Sequence, residues 1–194
     1  MIFVIDIDDT ISGTDKYSEY YISKFIKENN LPYKKIKKIT RFAEAKFDWS
    51  MENANKWYKE YGDQMMLEFP CKENSVETIN KLHESGHTII IATARANDWH
   101  SEPERITKEW LRNNNIKYDK LYVGRIDKEK ICIEEKADYF IDDDVKLCEK
   151  VLNDSIRTTP IIMLTDYNKT IEVSKEIIKI KSLCELEKFI ESYN

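Results

Sequence analysis

Residues 2–10 read Ile-Phe-Val-Ile-Asp-Ile-Asp-Asp-Thr. A short apolar run that stops abruptly at acids is the pattern of a buried strand reaching the edge of its sheet, and 2–7 is assigned to that strand. Side chains alternate along a strand, so Asp6 and Asp8 point the same way. Two carboxylates sharing one crevice repel each other unless a proton or cation lies between them. A folded protein keeps such a pair to bind a metal or to divide acid and base roles.

Similar apolar runs recur down the chain, at 88–93 (TIIIAT), 120–124 (KLYVG), 138–142 (DYFID) and 160–165 (PIIMLT). The run 176–181 (EIIKIK) alternates more and suits an edge strand. Helical patterns separate them. One, capped by Asn74 or Ser75, sets Val76, Ile79, Leu82 and His83 on one face and ends at Gly86 in a left-handed turn. Another begins at a Ser101/Glu104 capping box with Pro103 in its first turn, and carries Ile106, Trp110 and Leu111 inward. Residues 128–136, 145–153 and 183–193 give three more helices. Strands alternating with helices predict an α/β fold, a Rossmann-like parallel sheet with helices on both faces.

Asp6 and Thr93 are 87 residues apart, whereas a strand–helix–strand unit needs about 30. The surplus is helical and rich in Tyr, Phe and Trp. It predicts a small helical module at 15–72, inserted after the first strand of a core made of 1–14 and 73–194. Phe42, Phe47 and Trp49 fall in its less periodic part, where one of them can line a pocket and stack on a base; for any one ring, packing inside the module is the plainer expectation. The basic run Lys34, Lys35, Lys37, Lys38 and Arg41 reads as a solvated face or as a steering patch for anions. His83 is expected to pack on the core; His87 and His100 show no partner pattern.

In parallel sheets ligands bind beyond the carboxyl ends of the strands, so the strand ends carry the chemistry. The first ends in Asp6, Asp8 and Thr10, the second in Thr93 and Arg95, and that at 138–142 in Asp142-Asp143-Asp144. Hard oxygen donors imply Mg²⁺ rather than zinc. Lys128 opens the helix before the acidic strand, on the face of Ile131 and Cys132, and is expected to reach the crevice; Lys130, facing Ile133 and Glu134, is the alternative. Arg95 can touch substrate phosphate or pair with a carboxylate. Taken singly, each feature also reads as a polar turn, a structural threonine, a helix cap or a solvated lysine. Together, at successive strand ends, they read as one site.

Bulk properties narrow the field. The 194 residues and 23.1 kDa are 41% hydrophobic and 35% charged, the profile of a globular protein that needs no disulfides. A net charge of −5 argues against a general nucleic-acid binder. Cys71, Cys132, Cys148 and Cys184 form no C-x-x-C pair and no zinc spacing, which predicts reduced thiols in the cytoplasm. The opening apolar run is too short and too soon acidic for a signal peptide, and no apolar stretch approaches about 20 residues.

Asp6-x-Asp8-x-Thr10 after an apolar strand resembles the first signature of the haloacid dehalogenase superfamily. Thr93 resembles the second, Lys128 the third, and the apolar run into Asp142-Asp143 the fourth. Residues 15–72 match the position of that family's helical cap. The ending Phe140-Ile141-Asp142-Asp143-Asp144 and the tripeptide Thr93-Ala94-Arg95 look most like the 5'(3')-deoxyribonucleotidase-like branch (5'-nucleotidase type C). The resemblance implies a phosphomonoesterase in which Asp6 attacks the phosphoryl group and Asp8 serves as acid, then base. Thr93 and Lys128 would hold phosphoryl oxygens. Mg²⁺ would bind Asp6, the Asp8 backbone carbonyl and Asp142, with Asp143 supporting the metal or Lys128; three successive acids leave the ligand register open by one. Thr10 and Arg95 are further candidates for the substrate. The substrate would be a small phosphorylated metabolite, a nucleoside monophosphate among the options, and neither a nucleic-acid polymer nor a membrane is expected as partner. Phosphoryl transfer to an acceptor other than water, as in phosphomutases, is the alternative enzyme, and a binding protein that kept the fold is the non-catalytic one.

Overall fold

The computed structural model describes residues 1–36, 40 and 43–187. Phe42, Lys37, Lys38 and Arg41, and the distal part of the helix expected at 183–193, lie outside them. The sheet contains β1 (Ile2–Ile5), β2 (Thr88–Thr93), β3 (Lys120–Val123), β4 (Tyr139–Asp142), β5 (Thr159–Met163) and β6 (Ile178–Ile180). All neighbours are parallel, in the order β3-β2-β1-β4-β5-β6. Every run assigned to a strand from the sequence is one, including the edge strand within 176–181.

Period-two geometry explains why these strands read as continuous apolar runs, since both faces are covered. Phe3, Ile5, Ile89, Ile91 and Ile141 pack on one side against α4 (Ser75–Glu84) and α5 (Pro103–Asn113) through Ile79, Leu82, Trp110 and Leu111. Val4, Ile90, Ala92, Phe140 and Ile162 face the other way, onto Ile131 and Cys132 of α6 (Lys128–Glu134) and Cys148 and Val151 of α7 (Val145–Asp154). Most of these side chains are fully buried, and each Val, Leu, Ile or Phe among them contributes about 1.5–3 kcal/mol.

The stretch between β1 and β2 folds into α1 (Thr14–Glu28), α2 (Ala43–Phe47), α3 (Met51–Glu68) and then α4. The first three surround an aromatic cluster of their own, with Tyr21, Phe25, Phe47, Trp57 and Tyr61 buried in it. Phe47 and Trp49 stack on each other at 5.7 Å inside this cluster, the packing that is the plainer expectation for such rings, and neither lines the acidic cavity described below. Lys35 pairs with Glu19 on the surface.

Two helix starts differ from expectation. Asn74 precedes α4 in a left-handed conformation without a side-chain cap. Ser101 does not cap α5: its backbone N–H and hydroxyl both donate to Asp63 of α3, and Glu102 takes the N-cap position. His83 is half-buried beside Asp119 rather than in the core. The helix expected from 183 opens with a 3₁₀ turn at Leu183–Glu185, capped by Ser182, and Leu186 and Glu187 continue it as α-helix to the end of the described residues. Among the described residues no helix is long and apolar enough to cross a membrane.

The chain runs outward from β1 through β2 to β3, then returns to lay β4 against the other side of β1. Beyond the carboxyl ends of β1 and β4 lies the point where strand order reverses, and such points open a crevice.

Candidate active site

Asp6 follows β1 directly, and its backbone N–H donates to Ile141 O of β4 at 2.9 Å, which fixes it at the reversal point. Beyond it the chain turns sharply: Ile7 O accepts from the N–H groups of Thr10, Ile11 and Ser12, and Asp9 adopts φ 58°. Positive φ is uncommon outside glycine, though aspartate tolerates it better than most. The turn brings Asp6, Asp8 and Asp9 onto one cavity of about 320 Å³.

Lys128, at the first turn of α6, is buried with its ammonium between two carboxylates, 2.6 Å from Asp6 Oδ1 and 2.7 Å from Asp142 Oδ2. Lys130 is exposed, 3.9 Å from Glu134. Burial disfavours the charged ammonium, but Asp142 and Asp6 outweigh it and hold Lys128 protonated. Asp6 itself is pushed up to about 7, first by burial and then by Asp142 and Asp8, against the pull of Lys128. Asp143, buried beside them, is raised well above the carboxylate range by burial and by the charges of Asp142 and Asp6.

Oxygen atoms of Asp6, Asp142 and Asp143 all lie within 4.8 Å of one another. Lys128 and, at the edge of the cluster, Lys72, which donates to Asp9 O, do not balance the four carboxylates of Asp6, Asp9, Asp142 and Asp143. An all-oxygen donor set with surplus negative charge fits a hard divalent cation such as Mg²⁺. The register left open at 142–144 is narrowed by Asp144, which caps α7 by accepting from Lys146 N and Leu147 N.

Asp8 is held differently. Arg95 donates to both its oxygens, from Nε and Nη2 at 2.8 Å each, and the Thr14 hydroxyl adds a third bond at 2.8 Å. Burial raises its carboxyl, but the Arg95 pair prevails and the net shift is downward. Arg95 is buried, and its Nη1 has no hydrogen-bond partner among the described residues. Thr93 lines the same cavity, and its Oγ1, also buried, is likewise without a partner. Buried donors left open at a cavity wall are what an incoming anion would satisfy. The Thr10 hydroxyl is buried and unpartnered too, but Thr10 is not on the cavity wall.

Several cavity residues carry no signal in the sequence. Asp9 accepts from Asp15 N at 2.8 Å, and its carboxyl is pushed up to about 6, chiefly by burial. It lies in the opening acidic motif, but alternation would aim it away; only the turn brings it in. Tyr167, on the loop after β5, donates to Asp143 and stands 3.3 Å from Asp9 Oδ2. Trp57, Tyr58, Met65 and Phe69 of the inserted helices and Trp99 of the β2–α5 loop form an apolar wall above this acidic floor. His100 joins them, its imidazole lowered to about 4 by burial and by Arg95.

Comparison with known proteins agrees with the fold. No family model matches the chain. A Bacillus cereus protein named "Putative nucleotidase" is 28% identical over 180 residues, spanning 90% of this chain and 92% of that protein. A haloacid dehalogenase-like hydrolase from Streptococcus pneumoniae superposes with a TM-score of 0.70 at 11% identity, covering 97% of both chains. A "putative HAD-hydrolase" from Bacillus subtilis, bound to magnesium, superposes with a TM-score of 0.68 at 12% identity over 98% of both.

Proposed function

We propose that this chain, which has the haloacid dehalogenase-like fold, is a Mg²⁺-dependent phosphomonoesterase working through an aspartyl-phosphate on Asp6. The observation that carries the reading is the position of Asp6: at the reversal point of a parallel sheet, bonded to Lys128, close to Asp142 and Asp143, and sharing a cavity with Thr93. A carboxylate so placed can attack phosphorus; the Lys128 ammonium and the Thr93 hydroxyl are complementary donors for the phosphoryl oxygens, and Asp142 and Asp143 would act on them through a bound cation.

Asp6 attacks the phosphorus atom and the ester oxygen departs, taking a proton from Asp8. Asp8, now a carboxylate, removes a proton from water as that water attacks the phosphoryl group, and Asp6 and inorganic phosphate are released. In the arrangement described, Asp8 is ionised against Arg95, which suits the second half of this cycle; donating a proton in the first half requires Arg95 to turn to another anion. The phosphate of the substrate is one, and the open Nη1 of Arg95 faces that task. Thr93 and Lys128 bind the phosphoryl oxygens. Asp6, Asp142 and Asp143, with the Asp8 carbonyl, would hold Mg²⁺, which supplies neutralising charge for the transferred group.

Residues 15–72 act as a cap on a core of 1–14 and 73–194. The cap's apolar wall favours a substrate with a flat apolar portion next to its phosphate. Tyr58 and Trp99 lie 6.2 Å apart, and Trp57 4.7 Å from Tyr58, so a nucleoside monophosphate fits this wall better than a bare sugar phosphate. The name of the Bacillus cereus relative supports the same class. A cavity of about 320 Å³ suits a small metabolite and not a nucleic-acid polymer.

The test is inorganic phosphate release from nucleoside monophosphates and sugar phosphates, with Mg²⁺ and with EDTA. Release that needs Mg²⁺ and is fastest on nucleotides is the expected outcome, and Asp6→Asn should abolish it while leaving the circular dichroism unchanged. Turnover by Asp6→Asn would sink the covalent mechanism.

A further inference from the structure

Five of the aspartates that line the cavity meet Lys128, Arg95 or Tyr167. Lys128 holds Asp6 and Asp142, and Arg95 holds Asp8. The hydroxyl of Tyr167 donates to Asp143 and lies 3.3 Å from Asp9 Oδ2, while Asp9 also accepts from Asp15 N. The loop bearing Tyr167 is itself fixed. Asn168, 3% exposed, donates from Nδ2 to Asp143 O at 2.8 Å and to Met163 O at 2.9 Å, while its Oδ1 accepts from Thr165 N at 2.7 Å. One side-chain amide thus ties the Tyr167 loop to the end of β5 and to the backbone of the very residue that Tyr167 grips.

We infer that Tyr167 is a positioning residue for the cation site: its hydroxyl fixes the Asp143 carboxylate so that this group, with Asp6 and Asp142, presents a convergent set of oxygens to Mg²⁺. The inference rests on the metal-dependent reading above and adds a residue to it. Asp143 and Asp9 come from different strand ends and repel one another when ionised. A hydroxyl between them occupies one oxygen of Asp143 and leaves the carboxylate free capacity for a metal. Without it, Asp143 loses one of the groups that hold its carboxylate in place against repulsion from Asp6, Asp9 and Asp142. Groups that orient metal ligands in this way typically change metal affinity about 10–100-fold when removed.

The experiment is calorimetric titration of Mg²⁺ into the metal-free full chain, comparing wild type, Tyr167→Phe, Asp142→Asn and Asp166→Asn. Tyr167→Phe keeps the ring and removes only the hydroxyl. The expected result is a Kd raised about tenfold, with phosphate release at saturating Mg²⁺ kept near the wild-type rate and the metal-free melting temperature little changed. Asp166 is exposed on the same loop, and its variant should bind Mg²⁺ as wild type does. Wild-type affinity in Tyr167→Phe, or an equal loss in Asp166→Asn, would overturn the role of Tyr167 while leaving the metal-dependent reading intact. If the wild type takes up no Mg²⁺, or Asp142→Asn binds it unchanged, both readings fall.

Discussion

Lys128 gives one ammonium to two buried carboxylates, so removing it uncovers more charge than it takes away. Breaking such a buried pair from one side typically costs about 3–5 kcal/mol. Lys128→Met is therefore expected to lose stability of that order in metal-free urea unfolding at pH 7.5, and less at pH 5.5, where Asp6, with its carboxyl near 7, is already protonated. A cost independent of pH would mean that Lys128 acts through packing alone. At this scale the sequence carried the residues with a rule behind them. Asp6, Asp8, Thr93 and Asp142 sit at strand ends, and Lys128 lies on the helix face of Ile131 and Cys132, which are buried. Asp9 and Tyr167 follow no such rule. The first enters the cavity through a positive-φ turn, the second through a loop whose path is set by the Asn168 bonds, and neither has a periodicity to betray it.

Among the elements, the inserted helices press tightly on the core at Gly62, in the middle of α3. A Cβ there would stand 2.6 Å from the carbonyl oxygen of Trp99 and 3.2 Å from His100 Nδ1. Beside it, Asp63 accepts from Ser101. Gly62→Ala cannot be absorbed by a rotamer change, because the first obstacle is backbone, so α3 must lift from the β2–α5 loop. Overpacking of this kind costs about 1–3 kcal/mol, and the lift would widen the wall formed by Trp57, Tyr58 and Trp99. The expected reading is a lower melting temperature together with a raised KM for the best nucleotide; unchanged values for both would show that the contact is slack. The same contact explains why the Ser101/Glu104 capping box does not form. The Ser-x-x-Glu pattern is local, while Asp63 is a partner 38 residues away, and a tertiary bond displaced the cap. The strands, by contrast, were legible in full, because burial on both faces leaves an unbroken apolar run.

For the molecule as a whole, the carboxylate cluster links stability to pH with an unusual sign. Asp6 is raised to about 7, Asp9 to about 6, and Asp143 is raised as well. Groups whose folded pKa lies above the unfolded value stabilise the fold at low pH and lose that contribution as pH rises through the folded pKa. His100 works in the opposite sense. Its lowered pKa means that the unfolded chain binds the proton first, so stability falls as pH drops from about 6.5 to about 4. That opposing contribution fades between about pH 6.5 and 8 as the unfolded imidazole loses its proton, while Asp6 and Asp143 are still releasing theirs, so the metal-free protein should lose melting temperature over this interval. Saturating Mg²⁺ should flatten or reverse that slope, since the cation binds the ionised carboxylates of the folded state. A metal-free slope of zero in scanning calorimetry would count against a shared, charge-strained cluster.

The strand order also sets a timetable for synthesis. β1 is central, and its partners are residues 88–91 and 139–141. A ribosome making this chain releases Phe3 and Asp6 long before either neighbour exists, whereas α1 to α3 can meet one another within the next sixty or so residues. Parallel pairings across such separations form slowly, so the nascent chain carries an unpaired apolar strand behind a helical module that is already able to collapse. The crevice closes around Asp6 only once residue 142 has emerged, and until then that first strand is the segment a chaperone would most need to shield.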